Sequence, residues 1–250
     1  MQLSQLEPHS VRPARGSVVV TKKEGLTALT TSIVSDSKLW DAYNFLLLGP
    51  DLGRIRKMLV RYILFERALE IPGDIVECGV FRGAGLMYWA KLLEIFAPNS
   101  SKRVIGFDAF RPFSELTLRE EEIGIADSHD KIASGIKKEE LASIVEAARL
   151  AHRVHLIEGE IETTAPEYGR RHVGSRVSLL HLDLDTYSGT KAALASLYPL
   201  VSRGGIVILD EYGLAGMGET DAVDEFFAGT EIKPTAVPFS ESPTAYVAKP

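Results

Sequence analysis

Asp183 and Asp185 in LHLDLDTYSGT, and Asp210 and Glu211 in GIVILDEYG, are the residues of this chain whose types and spacing best suit chemistry. Each pair stands at the end of a short apolar run, Val177, Leu179, Leu180 and Leu182 in the first case and Ile206 to Leu209 in the second. Short β-branched runs of this kind read as central strands of a parallel sheet covered on both faces. Ligands of open α/β sheets sit beyond the carboxyl ends of such strands, where these four acids would project. Carboxylates gathered there repel one another unless a hard cation or a shared proton intervenes. One of them has a plainer reading. Asp185 precedes the helix-like TYSGTKAALASLY and would serve as an N-cap. Capping accounts for that one acid and not for the set.

A second constellation lies upstream. Residues 75–85, IVECGVFRGAG, read as strand, tight turn and helix start, with Gly79, Gly83 and Gly85 spaced GxxxGxG. Glycine lets the backbone turn sharply and lets a ligand approach without a Cβ in the way. The spacing differs from the GxGxxG of pyrophosphate-binding dehydrogenases. Asp108, 23 residues after Gly85, closes the next strand, VIGFD, at the place from which a carboxylate grips a ribose hydroxyl pair.

The elements that must position these residues follow an alternating pattern. Strands are expected at 75–79, 103–108, 153–157, 177–183 and 205–210. Helices are expected at 84–96, 138–150, 163–170, 189–200 and 219–228. Strand and helix in turn mean βαβ units and a parallel sheet. Residues 233–239 and 244–248 break the alternation as two strands joined by a turn, so the sheet should finish with an antiparallel pair. Residues 111–138 form a long, polar, acidic stretch, expected to be a lid or substrate loop. Upstream, 38–48 and 53–70 read as helices. In the second, Ile55, Met58, Leu59, Tyr62, Ile63, Phe65 and Leu69 recur at helical spacing, as a core or subunit-interface stripe would. Residues 17–20 and 26–34 read as a hairpin after a polar N-terminal tail. The division is then an N-terminal extension, 1–50, serving oligomerisation or as a lid, and a main domain, 51–250.

Composition sets the class. The chain has 250 residues, 45% hydrophobic and 25% charged, enough for one sizeable core. A net charge of -6 without a basic stripe gives no sign of a nucleic-acid partner, and no apolar run approaches the length of a membrane span. Cys78, the single cysteine, sits in an apolar strand, which excludes an internal disulfide and fits the reducing cytoplasm.

DIVECGVFRGAG, VIGFDAF, the run from Leu182 to Gly213 and the following AVDEFF resemble the macrocin O-methyltransferase family over roughly residues 52–230. These are S-adenosylmethionine- and Mg²⁺-dependent sugar O-methyltransferases of natural-product pathways. The resemblance implies a class I methyltransferase (Rossmann-like) α/β fold: a mostly parallel seven-stranded sheet with an antiparallel last strand and helices on both faces. It assigns Glu77, Gly79, Val80, Gly83 and Gly85 to the methionine side of the cofactor, with Asp183 also at the cofactor. Asp108 becomes the ribose ligand, and Gly159, Glu160 and Ile161 the adenine border. Asp183, Asp210 and Glu211 become the Mg²⁺ ligands and Asp185 the general base, so that Asp185 and Asp183 carry the catalysis. This chain departs from the family in having Glu211 where a second Asp is common, and Glu160-Ile161 where Trp-Phe is frequent. The expected acceptor is a hydroxyl of a deoxysugar, carried on a nucleotide or on a finished glycoside, and a homo-oligomer is expected.

Three other classes compete. Asp183-Leu184-Asp185 has the DxD form of metal-dependent glycosyltransferases, which leaves the glycine turn and Asp108 unexplained. His181-x-Asp183 offers two arms of a 2-His-1-carboxylate iron site, but the strand pattern places His181 inside the sheet as a core histidine. A non-catalytic methyltransferase-like scaffold has no reason to keep four mutually repelling acids.

Overall fold

The computed structural model describes residues 36–132 and 135–250. The hairpin expected at 17–34 lies outside these residues. Helices α1 (Asp36–Leu48) and α2 (Gly53–Ala68) precede the alternating part. That part runs β1 (Asp74–Cys78), α3 (Ala84–Phe96), β2 (Val104–Asp108), α4 (Glu120–Ile132), α5 (Lys138–Ala147), β3 (Val154–Glu158), α6 (Ile161–Arg171), β4 (Val177–Leu182), α7 (Tyr187–Leu197), β5 (Val201–Leu209) and α8 (Glu219–Phe227). Two short strands, β6 (Thr235–Ala236) and β7 (Ala245–Ala248), close it.

The seven strands lie in the order β3-β2-β1-β4-β5-β7-β6. β1 to β5 are mutually parallel, and β7 is antiparallel to both β5 and β6. This is the class I methyltransferase arrangement expected from the sequence. Successive strands are added in one direction from β1 to β3 and in the other from β4 onward, and the crevice beyond the carboxyl ends of β1 and β4 is where such folds bind ligands.

The central strands are largely apolar on both faces because helices cover both. Ile75, Val104, Leu179 and Ile208 pack on one side against Val60, Leu64 and Phe65 of α2, Leu86, Trp89 and Leu93 of α3 and Leu141 of α5. Val76, Phe107, Leu180, Leu182 and Leu209 pack on the other against Tyr168 of α6, Leu194 and Leu197 of α7 and Val223 and Phe227 of α8.

Three expectations change. The buried face of α2 is Val60, Arg61, Leu64, Phe65 and Ala68, while Met58, Leu59 and Ile63 of the anticipated stripe are 43%, 48% and 37% exposed. The stripe straddles the packed face because the sheet takes the side that also carries Arg61. Residues 111–138 are not one loop: a 3-10 turn at Phe113–Glu115 and helix α4 fill most of the stretch. Glu122, buried at 2% exposure, anchors this helix, accepting from its own Arg119 N (2.7 Å) and from Tyr187 N at the start of α7 (2.7 Å). The penultimate strand contracts from 233–239 to two residues, since only Thr235 and Ala236 find partners on β7.

Candidate active site

The turn after β1 is built by its glycine and by Asp108. Gly79 adopts φ +90°, and a Cβ there would lie 1.7 Å from the Asp183 carbonyl oxygen, so only glycine lets β1 and β4 end side by side. Asp183 N in turn donates to Cys78 O at 2.9 Å, and Gly79 N to Phe107 O at 2.9 Å. Asp108 Oδ2 accepts from Val80 N (2.7 Å) and Phe81 N (2.8 Å), and its Oδ1 accepts from Phe110 N (2.6 Å). The carboxylate that was expected to hold a ribose thus shapes the turn, and a lone pair remains on its Oδ1.

A cleft of about 380 Å³ starts from this turn. Gly79, Asp108, Gly159, Glu160, Ile161, Asp183, Asp185 and Glu211 all line it, bringing together residues from five strand ends. Glu160 is ion-paired with Arg111 across its far end. Glu77, Val80, Gly83 and Gly85 do not line it. A Cβ on Gly83 would meet Leu141 at 2.4 Å, and one on Gly85 would meet the Glu77 carboxylate at 2.1 Å. These two glycines make room for packing behind the cleft.

The acids divide into two groups. Glu77, His181 and Asp210 form a buried line: His181 Nδ1 lies 3.2 Å from Glu77 Oε1, and its Nε2 2.8 Å from Asp210 Oδ1. Burial opposes charge on the imidazole, yet the hydrogen bonds to Asp210 and Glu77 outweigh it and push the pKa up. Lys57 Nζ donates to Asp210 Oδ2 at 2.7 Å and lies 3.5 Å from Asp183 Oδ2. Burial would raise Asp210, but His181 and Lys57 hold it well below the carboxylate range. Arg61 reaches Asp183 at 3.4 Å and Glu77 at 3.9 Å. Both ring nitrogens of His181 are thus matched to carboxylates inside the sheet, and the ring is fully buried.

The second group is Asp183, Asp185 and Glu211, each with a carboxylate oxygen within 4.8 Å of the others. Asp185 Oδ1 and Glu211 Oε2 are buried without a hydrogen-bond partner. Burial, followed by the charges of Asp183 and Asp210, pushes Asp185 up to about 7. Burial and the charges of Asp210, Asp183 and Asp185 push Glu211 up to about 11. Glu219, fully buried on α8, accepts from Glu211 N at 3.1 Å, and its pKa also lies well above normal through burial and the Asp210 and Asp185 charges. Lys57 and Arg61 reach Asp183 but pair with neither Asp185 nor Glu211 among the described residues. Two orphaned carboxylate oxygens beside a third acid fit an oxygen-preferring divalent cation. Asp210 already has donors on both oxygens, His181 on Oδ1 and Lys57 on Oδ2, so its participation in a metal site would require Lys57 to withdraw.

Asp185 is not a cap. Thr186 fills that role for α7, its side chain accepting from Gly189 N at 3.3 Å. Asp185 instead adopts φ +62°, uncommon for a non-glycine residue and frequent at functional positions.

Lys57, Arg61 and Glu219 escaped the sequence reading. Lys57 and Arg61 stand at i, i+4, one face of a helix, and that repeat was the available signal. The apolar stripe beside it drew the reading to the other side. Glu219 carries no distinguishing signal, since an acid in the first helical turn is ordinary.

The family description Macrocin-O-methyltransferase (TylF) matches residues 53–237. The chain belongs to this family. Among individual relatives, demethyldecarbamoylnovobiocin O-methyltransferase of Streptomyces niveus is 27% identical over 173 residues, 65% of this chain and 61% of the relative. The 8-demethyl-8-(2,3-dimethoxy-alpha-L-rhamnosyl)-tetracenomycin-C 4'-O-methyltransferase of Streptomyces olivaceus is 26% identical over 159 residues, 62% of this chain and 58% of the relative. The match thus spans about three fifths of the length of these relatives. The solved structure of CalS11, described as a TDP-rhamnose 3'-O-methyltransferase of calicheamicin biosynthesis, superposes with a TM-score of 0.65 at 27% identity, covering 89% of this chain and 90% of CalS11.

Proposed function

We propose that this macrocin O-methyltransferase family member transfers a methyl group from S-adenosylmethionine to a sugar hydroxyl, with Mg²⁺ bound beside the acceptor, and that it works as a homo-oligomer in the cytoplasm. The observation that carries the reading is one shared cleft. Gly79, Asp108 and Gly159 line it on the side suited to the cofactor, and the under-neutralised trio Asp183, Asp185 and Glu211 lines it on the other. The relatives support the acceptor class, two being named for transfer to rhamnose-type sugars.

In this reading S-adenosylmethionine supplies the electrophilic methyl, and Mg²⁺ lowers the pKa of an acceptor hydroxyl. The chain supplies the rest. Asp183 and Glu211 would hold the cation, and Asp210 would join them if Lys57 swung away. Asp185, whose Oδ1 has no hydrogen-bond partner in the cluster, would take the hydroxyl proton as general base. Glu219 fixes Glu211 through its backbone N–H. The Glu122-anchored α4 segment walls the cleft through His129 and Asp130, limiting access of water.

Assembly is supported by the apolar surface of α1 and α2, where Trp40, Tyr43, Phe45, Leu48, Met58 and Leu59 are exposed. The cofactor assignment is tested by calorimetric titration. S-adenosylhomocysteine should bind in the micromolar range and NAD should not; binding of NAD alone would overturn it.

A further inference from the structure

Beyond Lys57 the cleft continues into a second, smaller groove of about 190 Å³ between the start of α2 and the segment around Ser242. Arg54 and Lys57 line both spaces, so together they mark the passage from one to the other. The groove has no apolar side chain. Its walls carry three cations, Arg54, Arg56 and Lys57, against two carboxylates, Asp51 and Glu241. Lys57 is committed to Asp210 and to Ser242 Oγ (2.9 Å). Asp51 is committed to a local turn, its Oδ1 accepting from Gly53 N at 2.7 Å. Arg56 meets Glu241 at 3.6 Å, with the two side chains 40% and 91% exposed, a weak pair that an incoming anion can displace. Arg54 has no ion-pair or hydrogen-bond partner among the described residues.

We propose that the acceptor is a phosphate-bearing sugar, a sugar phosphate or a nucleoside-diphosphate sugar, whose phosphate lies in this groove while its sugar ring lies in the main cleft. The proposal rests on the O-methyltransferase reading and narrows its substrate class. An apolar aglycone placed here would cover guanidinium groups without returning their hydrogen bonds. A phosphate or diphosphate offers oxygen faces to Arg54 and Arg56 together, the pairing for which the guanidinium fork is suited, whereas a lone carboxylate offers one such face. The free Arg54 at the junction also places the anion next to the carboxylate trio, so the phosphate fixes which end of the sugar faces Asp185.

The test uses the full chain saturated with S-adenosylhomocysteine, without metal, titrated calorimetrically with thymidine diphosphate, uridine diphosphate and inorganic pyrophosphate. The parent should bind at least one of them, and Arg54→Glu should weaken that binding by roughly tenfold or more, with Arg54→Gln between the two. S-adenosylhomocysteine affinity should stay the same in all three proteins. A nucleoside diphosphate binding more tightly than pyrophosphate supports a nucleotide-linked sugar; equal binding supports a sugar phosphate. Absence of diphosphate binding in the parent, or binding undiminished in Arg54→Glu, overturns the proposal and leaves the cofactor reading standing. Failure of the parent to bind S-adenosylhomocysteine overturns the underlying reading instead.

Discussion

Lys57→Met removes the ammonium group that neutralises the acids and keeps most of the side-chain volume. Lys57 Nζ lies 2.7 Å from Asp210 and 3.5 Å from Asp183, and at an effective dielectric of ~20 these attractions are about 6 and 5 kcal/mol before desolvation is subtracted. Removing one member of a buried pair leaves the other charge uncompensated and costs about 3–5 kcal/mol. Lys57 retains 22% side-chain exposure, so the lower end, ~3 kcal/mol, is the expected loss. For a chain of this size that lowers Tm by roughly 6–12 °C. The same substitution frees the position between Asp183 and Asp210 for a cation. Differential scanning calorimetry in a chelator and then across a Mg²⁺ titration reads both effects. The variant should melt well below the parent without metal and recover more of its Tm as Mg²⁺ is added, because the cation binds the folded state without displacing an ammonium. An unchanged Tm in chelator together with an unchanged Mg²⁺ response would refute the reasoning.

Asp185→Asn should keep S-adenosylhomocysteine affinity and lose about 10²–10⁴ in kcat, the usual worth of a positioned base; steady-state kinetics reads it. Because Asp185 and Glu211 are pushed up to about 7 and about 11, the metal-free folded state binds more protons than the unfolded chain above pH ~4, so stability falls as pH rises. Thermal melts in chelator should show a Tm declining from pH 5 to 8, with a shallower decline in Asp185→Asn. Gly79→Ala, with φ +90° and a Cβ 1.7 Å from Asp183 O, should cost roughly 2–6 kcal/mol by urea denaturation, from strain and overpacking together. Trp40→Lys combined with Phe45→Lys should shift the mass seen by light scattering from oligomer to the 27.4 kDa monomer while leaving the fold intact.

The fold was legible because its strands are short, apolar and bounded by glycine or acids, so the sheet could be written down with edges displaced by a few residues. The acids were legible for the same reason: Asp183 and Asp210 are the first acidic residues after apolar runs. Their pairing was not. Whether Asp210 faces a metal or Lys57 depends on how α2 lies across β4 and β5, a long-range packing fact that no local spacing encodes. Gly83 and Gly85 show the converse difficulty, since glycines beside a ligand-binding turn look alike whether they admit a ligand or, as here, Leu141 and Glu77. The 111–138 stretch reads as a loop because its acidic composition masks a helix that buries only Glu122 and Ala126 among its described side chains.

The most direct test of the central claim is methyl transfer from isotopically labelled S-adenosylmethionine to a panel of nucleotide-linked and glycosidic deoxysugars, measured in chelator and then with Mg²⁺ restored. The account predicts transfer to a sugar hydroxyl that is abolished by chelation, recovered with Mg²⁺, and lost in Asp183→Ala. Undiminished transfer after exhaustive chelation, or full activity in Asp183→Ala, would contradict it.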